Sequence, residues 1–471
     1  MSRIKDNFKR LKNIINETEG PDYVCWTIFV VIALFIFISF AYWDILVTTS
    51  HTTNFIEVIS SGRISDFYIV NYNLPIKGIS SMVCYDLPIY LIFMVWDFPL
   101  WVLKHFYSVN IIDNFWCLLW MKGILILFLY LCSMIIKKIC QEVGFSKENI
   151  RWTMFIFVSS PLIFSSVFIL CQYDIIPMFF MLLGILAYIR DDQKKFLLWF
   201  SIAIPMKILP LFVFIPLLLL KEKRVLQIIG KCFVTLLCLI VFRIIAMSMP
   251  YYDLSTKSFN NHMISRLFST STLKVSVGTA SLFVAAYAII CVYCYIKELK
   301  NKKELYQYSM YIPFAVFNVF FLFVYFNPYW LVYLTPFFAF LLFNNSKYFK
   351  ANLLIEIVFN FVVLFIITNF YTWCFGAKEL NGMLISKIFG TREMASLEYR
   401  NVGSIYSKLG LNQYLNAFYG LFLALSLCLL VVNSPLLNKK KGNIEIERST
   451  ILFRALLIMF FAFLMICCYF S

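Results

Sequence analysis

The chain has 471 residues, 62% of them hydrophobic and 14% charged, with a mean hydropathy of +0.81. Soluble domains are about half apolar and a quarter charged, so the composition excludes a soluble globular protein and predicts an all-α polytopic membrane protein. The formal net charge of +16 implies no nucleic-acid partner, because Lys and Arg sit in short segments between apolar runs, where they mark topology.

Residues 1–23 are basic and predict a cytoplasmic N-terminal segment. The first apolar run, 24–42, is followed by no small-residue cleavage site and reads as a signal anchor. Directly after it comes Asp44, in "FAYWDILVTTSH". An acid at the membrane boundary is either an exposed interface residue or a buried catalytic carboxylate. The segment it opens, 43–114, spans about 70 residues, too long for a mere connector. It carries His51, Glu57, Lys77, Asp86 and Asp97 as well. His51 and Glu57 either share a site with Asp44 or decorate a solvated loop.

Charge decides how "DLPIYLIFMVWDFPLWVLKHF" is placed. If it crosses, the basic clusters Lys137/Lys138/Lys147/Arg151 and Arg190/Lys194/Lys195 fall outside. If it lies along the outer surface, every Lys/Arg-rich loop becomes cytoplasmic: 1–23, 137–151, 190–195, 221–231, 297–303, 344–350 and 438–450. Asp86, Asp97, Pro88 and Pro99 make it a poor span, and Trp96 and Trp101 suit an interface.

Further spans, each near the roughly 20 apolar residues a crossing needs, are predicted at 115–136, 152–171, 174–189, 232–249, 276–296, 306–326, 329–343, 351–373, 414–433 and 451–470. Lys122 and Arg243 read as side chains snorkelling to the outer interface. Gln172 and Asp174 fall on the outer side, in the turn between two spans. Segment 196–220 begins and ends at basic clusters and must enter and return. Its centre, "IPMKILP", holds Lys207 between Pro205 and Pro210. Prolines break helices, so two half-helices should meet near Lys207, and a Lys inside an apolar segment needs an anion, either Asp174 or a ligand. The layout totals about 13 membrane segments, with outer loops 43–114, 250–275 and 374–413.

The 14 Cys lie mostly inside apolar runs as small hydrophobes. With three His and an isolated CxxC at Cys291–Cys294, no metal-ligand residues can be named. Acids and a Lys from distant positions thus converge on one face of a membrane bundle. That pattern suits an enzyme acting on a lipid-linked anion, and equally a transporter with a coupled-ion site.

Five ordered stretches resemble the membrane glycosyltransferases of the type C fold (GT-C), which use polyprenyl-phosphate sugars as donors. They are Asp44 after the first span; "SSGRISDFY" with "CYDLPIYLIF"; "SSPLIFSSVFILCQYD"; "SIAIPMKILPLFVFIPLLLLKEKR"; and "NPYWLVYLTPFFAFLL". The last is similar to a pattern in the mannosyltransferase that starts glycosylphosphatidylinositol anchors and in bacterial relatives. The resemblance covers roughly residues 20–345. It implies a GT-C-like module over 24–345 and added C-terminal helices over 346–471.

The resemblance implies Asp44 as general base, supported by Asp174, Gln172, Glu57 and His51. Lys207, Arg243 and Lys77 would meet the donor phosphate, and Tyr85, Asp86 and Pro88 mark a juxtamembrane motif. Implied partners are a polyprenyl-phosphate hexose (mannose among the candidates), a glycan or lipid acceptor of the cell envelope, and membrane lipids. A divalent metal is left open as cofactor. Implied location is the plasma membrane, with the N-terminus cytoplasmic and the site facing out. The rival readings are a lipid-linked sugar flippase, a catalytically dead scaffold, and a polysaccharide polymerase or ligase relying on Arg392 and Arg400.

Overall fold

The computed structural model describes residues 20–437 and 446–471. Residues 1–19 and 438–445, parts of the basic segments 1–23 and 438–450, lie outside the described residues. The chain is nearly all helical. Helices α1 (Tyr23–Ser39) and α2 (Trp43–Ser60) are separated by three extended residues and bent by 63°. There follow α3 (Leu87–Tyr107), α4 (Phe115–Val143), α5 (Lys147–Val158), α6 (Ile175–Ile189), α7 (Gln193–Met206), α8 (Leu209–Lys221) and α9 (Val225–Met247). The second half comprises α10 (Ser258–Ser269), α11 (Leu282–Ile296), α12 (Lys302–Phe323), α13 (Thr335–Asn344), α14 (Phe349–Phe370), α15 (Leu415–Asn433) and α16 (Arg448–Phe470).

Helix starts follow capping chemistry. Asp22, Asn114, Ser146, Asp192, Ser281 and Asn301 each accept a backbone N–H of the first turn. Two short antiparallel hairpins interrupt the helical pattern, β1 (Leu74–Ile76) with β2 (Ile79–Ser81) and β3 (Thr272–Val275) with β4 (Gly278–Ser281). An all-helical expectation missed both, because three- and four-residue strands leave no periodic signal.

Among the described residues, eight helices are long and apolar enough to cross a membrane, nine if the bent pair α1–α2 counts as one span. This is a multi-pass membrane protein. Four further apolar helices, 175–189, 209–221, 282–296 and 328–344, are shorter, so the total depends on how many of those cross.

The segment with four helix-unfriendly residues is one unbroken helix. Pro88 sits in the first turn of α3, where its missing N–H costs nothing, and Pro99 lies within it. Asp97 is not on a wet surface but fully buried against α2. Trp96 does not face lipid headgroups alone. It stacks on Trp120 of α4 at 4.9 Å, each indole donates to the other's backbone carbonyl (2.9 and 3.0 Å), and the ring seats on Gly123.

Segment 193–221 folds back on itself as a helical hairpin. Phe196 and Phe200 of α7 pack on Phe214 of α8, at 5.3 and 5.4 Å, and Lys221 closes the open end on Asp191 at 2.8 Å. Gly184 lets α7 lie tight on α6, since a Cβ there would come within 2.6 Å of Phe200.

The C-terminal helices are not an appendage. Arg454 of α16 is fully buried, ion-paired to Glu356 of α14, and donates to the Ile156 carbonyl of α5 at 3.1 Å. Asn360 also donates to Glu356, at 2.7 Å. Removing one partner of such a pair strands the other charge, at about 3–5 kcal/mol. Arg454→Met should therefore lower the thermal midpoint of the purified protein markedly, followed by intrinsic fluorescence. An unchanged midpoint would refute this clasp.

Candidate functional site

The site is built at two interruptions of apolar chain. The first is Phe40–Ala41–Tyr42, between α1 and α2. Lys122, fully buried on α4, donates to the carbonyls of Phe37 and Phe40. It therefore caps the C-terminal carbonyls of α1, where a snorkelling side chain was expected. From the other side, the Ala41 N–H donates to the Glu379 carbonyl at 2.7 Å. The break so held starts α2 at Trp43 and puts Asp44 in its first turn, where unpaired N–H groups favour an anion.

The second interruption follows α5. The chain runs through Ser159–Ser160–Pro161 into a π-helical turn, Phe164–Ile169, and reverses at Cys171, a buried non-glycine residue with φ of 47°. Such turns and strained residues concentrate at functional sites. The reversal aims Gln172 at Asp44, Nε2 donating to Oδ2 at 2.6 Å. Asp174 points the other way, 3.3 Å from the ammonium of Lys207.

Lys207 occupies the tip of the α7–α8 hairpin in extended conformation, between the two prolines. Its side chain is 10% exposed and that of Asp174 1%. Rings of Tyr85, Tyr173, Tyr329 and Trp330 surround the ammonium, with centroids 5.2 to 5.7 Å away. The turn before α6 thus carries a Gln and an Asp because two different partners need them.

Asp44 opens into a cavity of about 420 Å³ also lined by His51, Ser81, Tyr85, Arg266 and Tyr329. His51, seven residues on, shares its helix face. Its Nε2 lies 3.4 Å from Ser81 Oγ, and Ser81 itself donates to the Leu74 carbonyl at 2.9 Å. Arg266 of α10 donates to Asn327 at 3.2 Å and lies over the Tyr325 ring. Tyr85, Asn327 and Tyr329 separate this cavity from a chamber of about 70 Å³ holding Lys207, Arg243, Asp86 and Asn260. There Asp86 meets Tyr252 at 3.2 Å, Asn260 at 3.4 Å and Arg243 at 3.5 Å. Burial pushes the Asp86 carboxyl up, and Arg243 pulls it back. An apolar cavity of about 390 Å³, walled by Phe321, Phe326, Ile367 and Phe422, adjoins Asn327 through Phe326.

Five anticipated residues therefore gather around Asp44 and Lys207: His51, Gln172, Asp174, Tyr85 and Arg243, with Asp86 holding the last. Three do not. Glu57 lies thirteen residues along α2, roughly 20 Å from Asp44 at 1.5 Å per residue, where it accepts from Trp101 (2.9 Å) and meets His105 (3.1 Å). Lys77 sits in the β1–β2 turn and pairs with Asp113 at 3.3 Å, outside both chambers. Pro88 packs in the first turn of α3.

Sequence reasoning missed Arg266, hidden in a polar segment, and the reach of Tyr329 and Trp330, whose signal was the "NPYW" motif. Among the described residues, no three His, Cys, Asp or Glu side chains converge as metal ligands. No protein-family model matches the chain, and no curated protein or solved structure matches it.

Glu379, which pins the α1–α2 break through its carbonyl, has its carboxyl pushed up to about 7 by burial, from an ordinary 4.5. The folded state thus holds the proton more tightly than the unfolded chain. The contribution is full below about pH 4.5 and is lost as pH rises through about 7. Glu379→Gln should flatten that fall in the thermal midpoint between pH 5 and 7, as seen in a pH series of melts. An identical slope in wild type and variant would contradict the assignment.

Proposed function

We propose that the protein is an integral membrane glycosyltransferase that moves a hexose from a polyprenyl-phosphate donor to a glycan or lipid acceptor. The observation that carries this reading is the pairing of one accessible carboxylate, Asp44 oriented by Gln172, with nearby cations at Lys207, Arg243 and Arg266. Acceptor hydroxyl attack on the anomeric carbon forms a new C–O bond and breaks the bond to phosphate oxygen, inverting the centre. Asp44 takes the hydroxyl proton. Negative charge grows on the departing polyprenyl phosphate, where fixed cations lower the barrier most. No nucleotide is required, since the phosphate ester is the leaving group.

Helix length supports a lipid-linked donor. Helices α6, α7 and α8, of 15, 14 and 13 residues, are about 20–22 Å long. The hydrocarbon core is about 30 Å thick, and α9, with 23 residues, is about 34 Å long. Helices α7 and α8 join at their basic end through Asp191 and Lys221, so Asp174 and Lys207 lie short of the opposite boundary. A headgroup whose tail remains in lipid reaches that depth, and the adjoining apolar cavity suits the tail's first isoprene units. The Lys/Arg distribution supports a cytoplasmic N-terminus and an outward-facing site in the plasma membrane, with about 13 segments crossing or re-entering. Arg392, one of the two arginines behind the ligase reading, lies over the ring of Tyr469, 5.1 Å away, and does not line the Asp44 cavity.

The test supplies polyprenyl-phosphate hexoses to purified protein and follows polyprenyl phosphate release. Asp44→Asn should slow release about 10²–10⁴-fold, the usual worth of a general base, whereas Glu57→Gln should keep the wild-type rate. Equal release by Asp44→Asn and wild type would overturn the role of Asp44. Donor flipping without release would establish the flippase instead.

A further inference from the structure

A second cavity, of about 220 Å³, lies on the far side of Trp43 and Trp373, which wall the Asp44 cavity as well. Lys77, Lys378, Glu379 and Glu398 line it. It is thus the place to which Lys77 goes. Glu379 is 1% exposed, its Oε2 accepts the Gly376 N–H at 2.8 Å, and its Oε1 has no hydrogen-bond partner among the described residues. A buried carboxyl oxygen left unpaired beside a cavity calls for a donor from a ligand.

The charges identify that ligand's chemistry. Lys378 and Lys77, the latter also paired with Asp113 at 3.3 Å, line the cavity together with two carboxyls, so it suits neither a phosphate nor a polyamine. Hydroxyl groups donate to carboxylates and accept from ammonium groups at once, and indole surfaces cover apolar C–H faces while leaving polar edges accessible. The geometry points to a subsite for a neutral hexose of the acceptor, against the wall formed by Trp43 and Trp373 and held by Lys77, Lys378, Glu379 and Glu398. Trp43 immediately precedes Asp44, so a sugar bound there abuts the wall of the transfer cavity. The inference deepens the glycosyltransferase reading and rests on it for the word acceptor, but sugar binding at this cavity can be measured without turnover.

The test uses the full chain in lipid nanodiscs with no donor present. Octyl glucoside, galactoside and mannoside are titrated below their micelle concentrations, with octyl tetraethylene glycol as the chain-matched control. At least one hexoside should bind saturably and more tightly than the control. Lys378→Ala and Glu398→Gln, both on accessible side chains, should each weaken it about tenfold, the loss of one charge-assisted hydrogen bond. Binding unchanged in both variants, or no preference for any hexoside over the control, would overturn the subsite. Hexoside binding lost in the variants, with no polyprenyl phosphate released from any donor, would leave the subsite standing and sink the transferase reading.

Discussion

A Lys ammonium in the break of an apolar hairpin must find an anion, and Asp174 is the anion it finds. Much of the site follows from that contact. It fixes the tip of α7–α8 against the 170–174 turn, which sets the direction of Gln172 two residues earlier and places Tyr173 on the ammonium. A buried ion pair adds little net stability, because desolvation offsets its attraction, but breaking it is costly. In the observed seating of the hairpin the two charges satisfy each other. The aromatic ring set from three separate segments, Tyr85, Tyr173 and Tyr329–Trp330, closes around the same point.

Asp44 depends on a different constraint. An apolar helix that stops inside protein leaves carbonyls without partners, and α1 stops at Ser39. Lys122 satisfies two of those carbonyls from within α4, and the 376–380 segment satisfies the following N–H through the Glu379 carbonyl. Asp44 is thus positioned jointly by the fourth helix and a loop more than 330 residues downstream. That loop also walls the second cavity. The C-terminal helices, clasped to the core by Arg454, accordingly belong to the site's support as much as the N-terminal ones.

Much of this was legible in the sequence where a charge or proline sits in an otherwise apolar run. Lys207 between prolines announced both the hairpin and its need for an anion, Asp174 or a ligand. Gln172 and Asp174 announced a turn with polar partners, and Asp44 its place after the first span. What could not be read was which long-range partner each charge takes. Lys122 as a carbonyl cap and Lys122 as a snorkelling side chain have the same local sequence; only the residues 82 and 85 positions away distinguish them. Asp97 and Glu57 failed for the mirror reason. The first looked wet and is buried against a Thr-rich helix face, while the second shared a segment with Asp44 but stands at the opposite end of α2. Arg266 lay in a largely polar segment, where nothing local set it apart from its neighbours.

The account is tested most directly by a double-mutant cycle on Lys207 and Asp174, reading thermal midpoint and polyprenyl phosphate release together. Lys207→Met and Asp174→Asn alone should each lower the midpoint, by stranding a buried charge or its partner. The double variant should regain most of that loss while release stays low, because the cation is gone and Gln172 is no longer held in register. Additive losses in the midpoint, or full release from the double variant, would contradict the claim that this ion pair sets the geometry of the site.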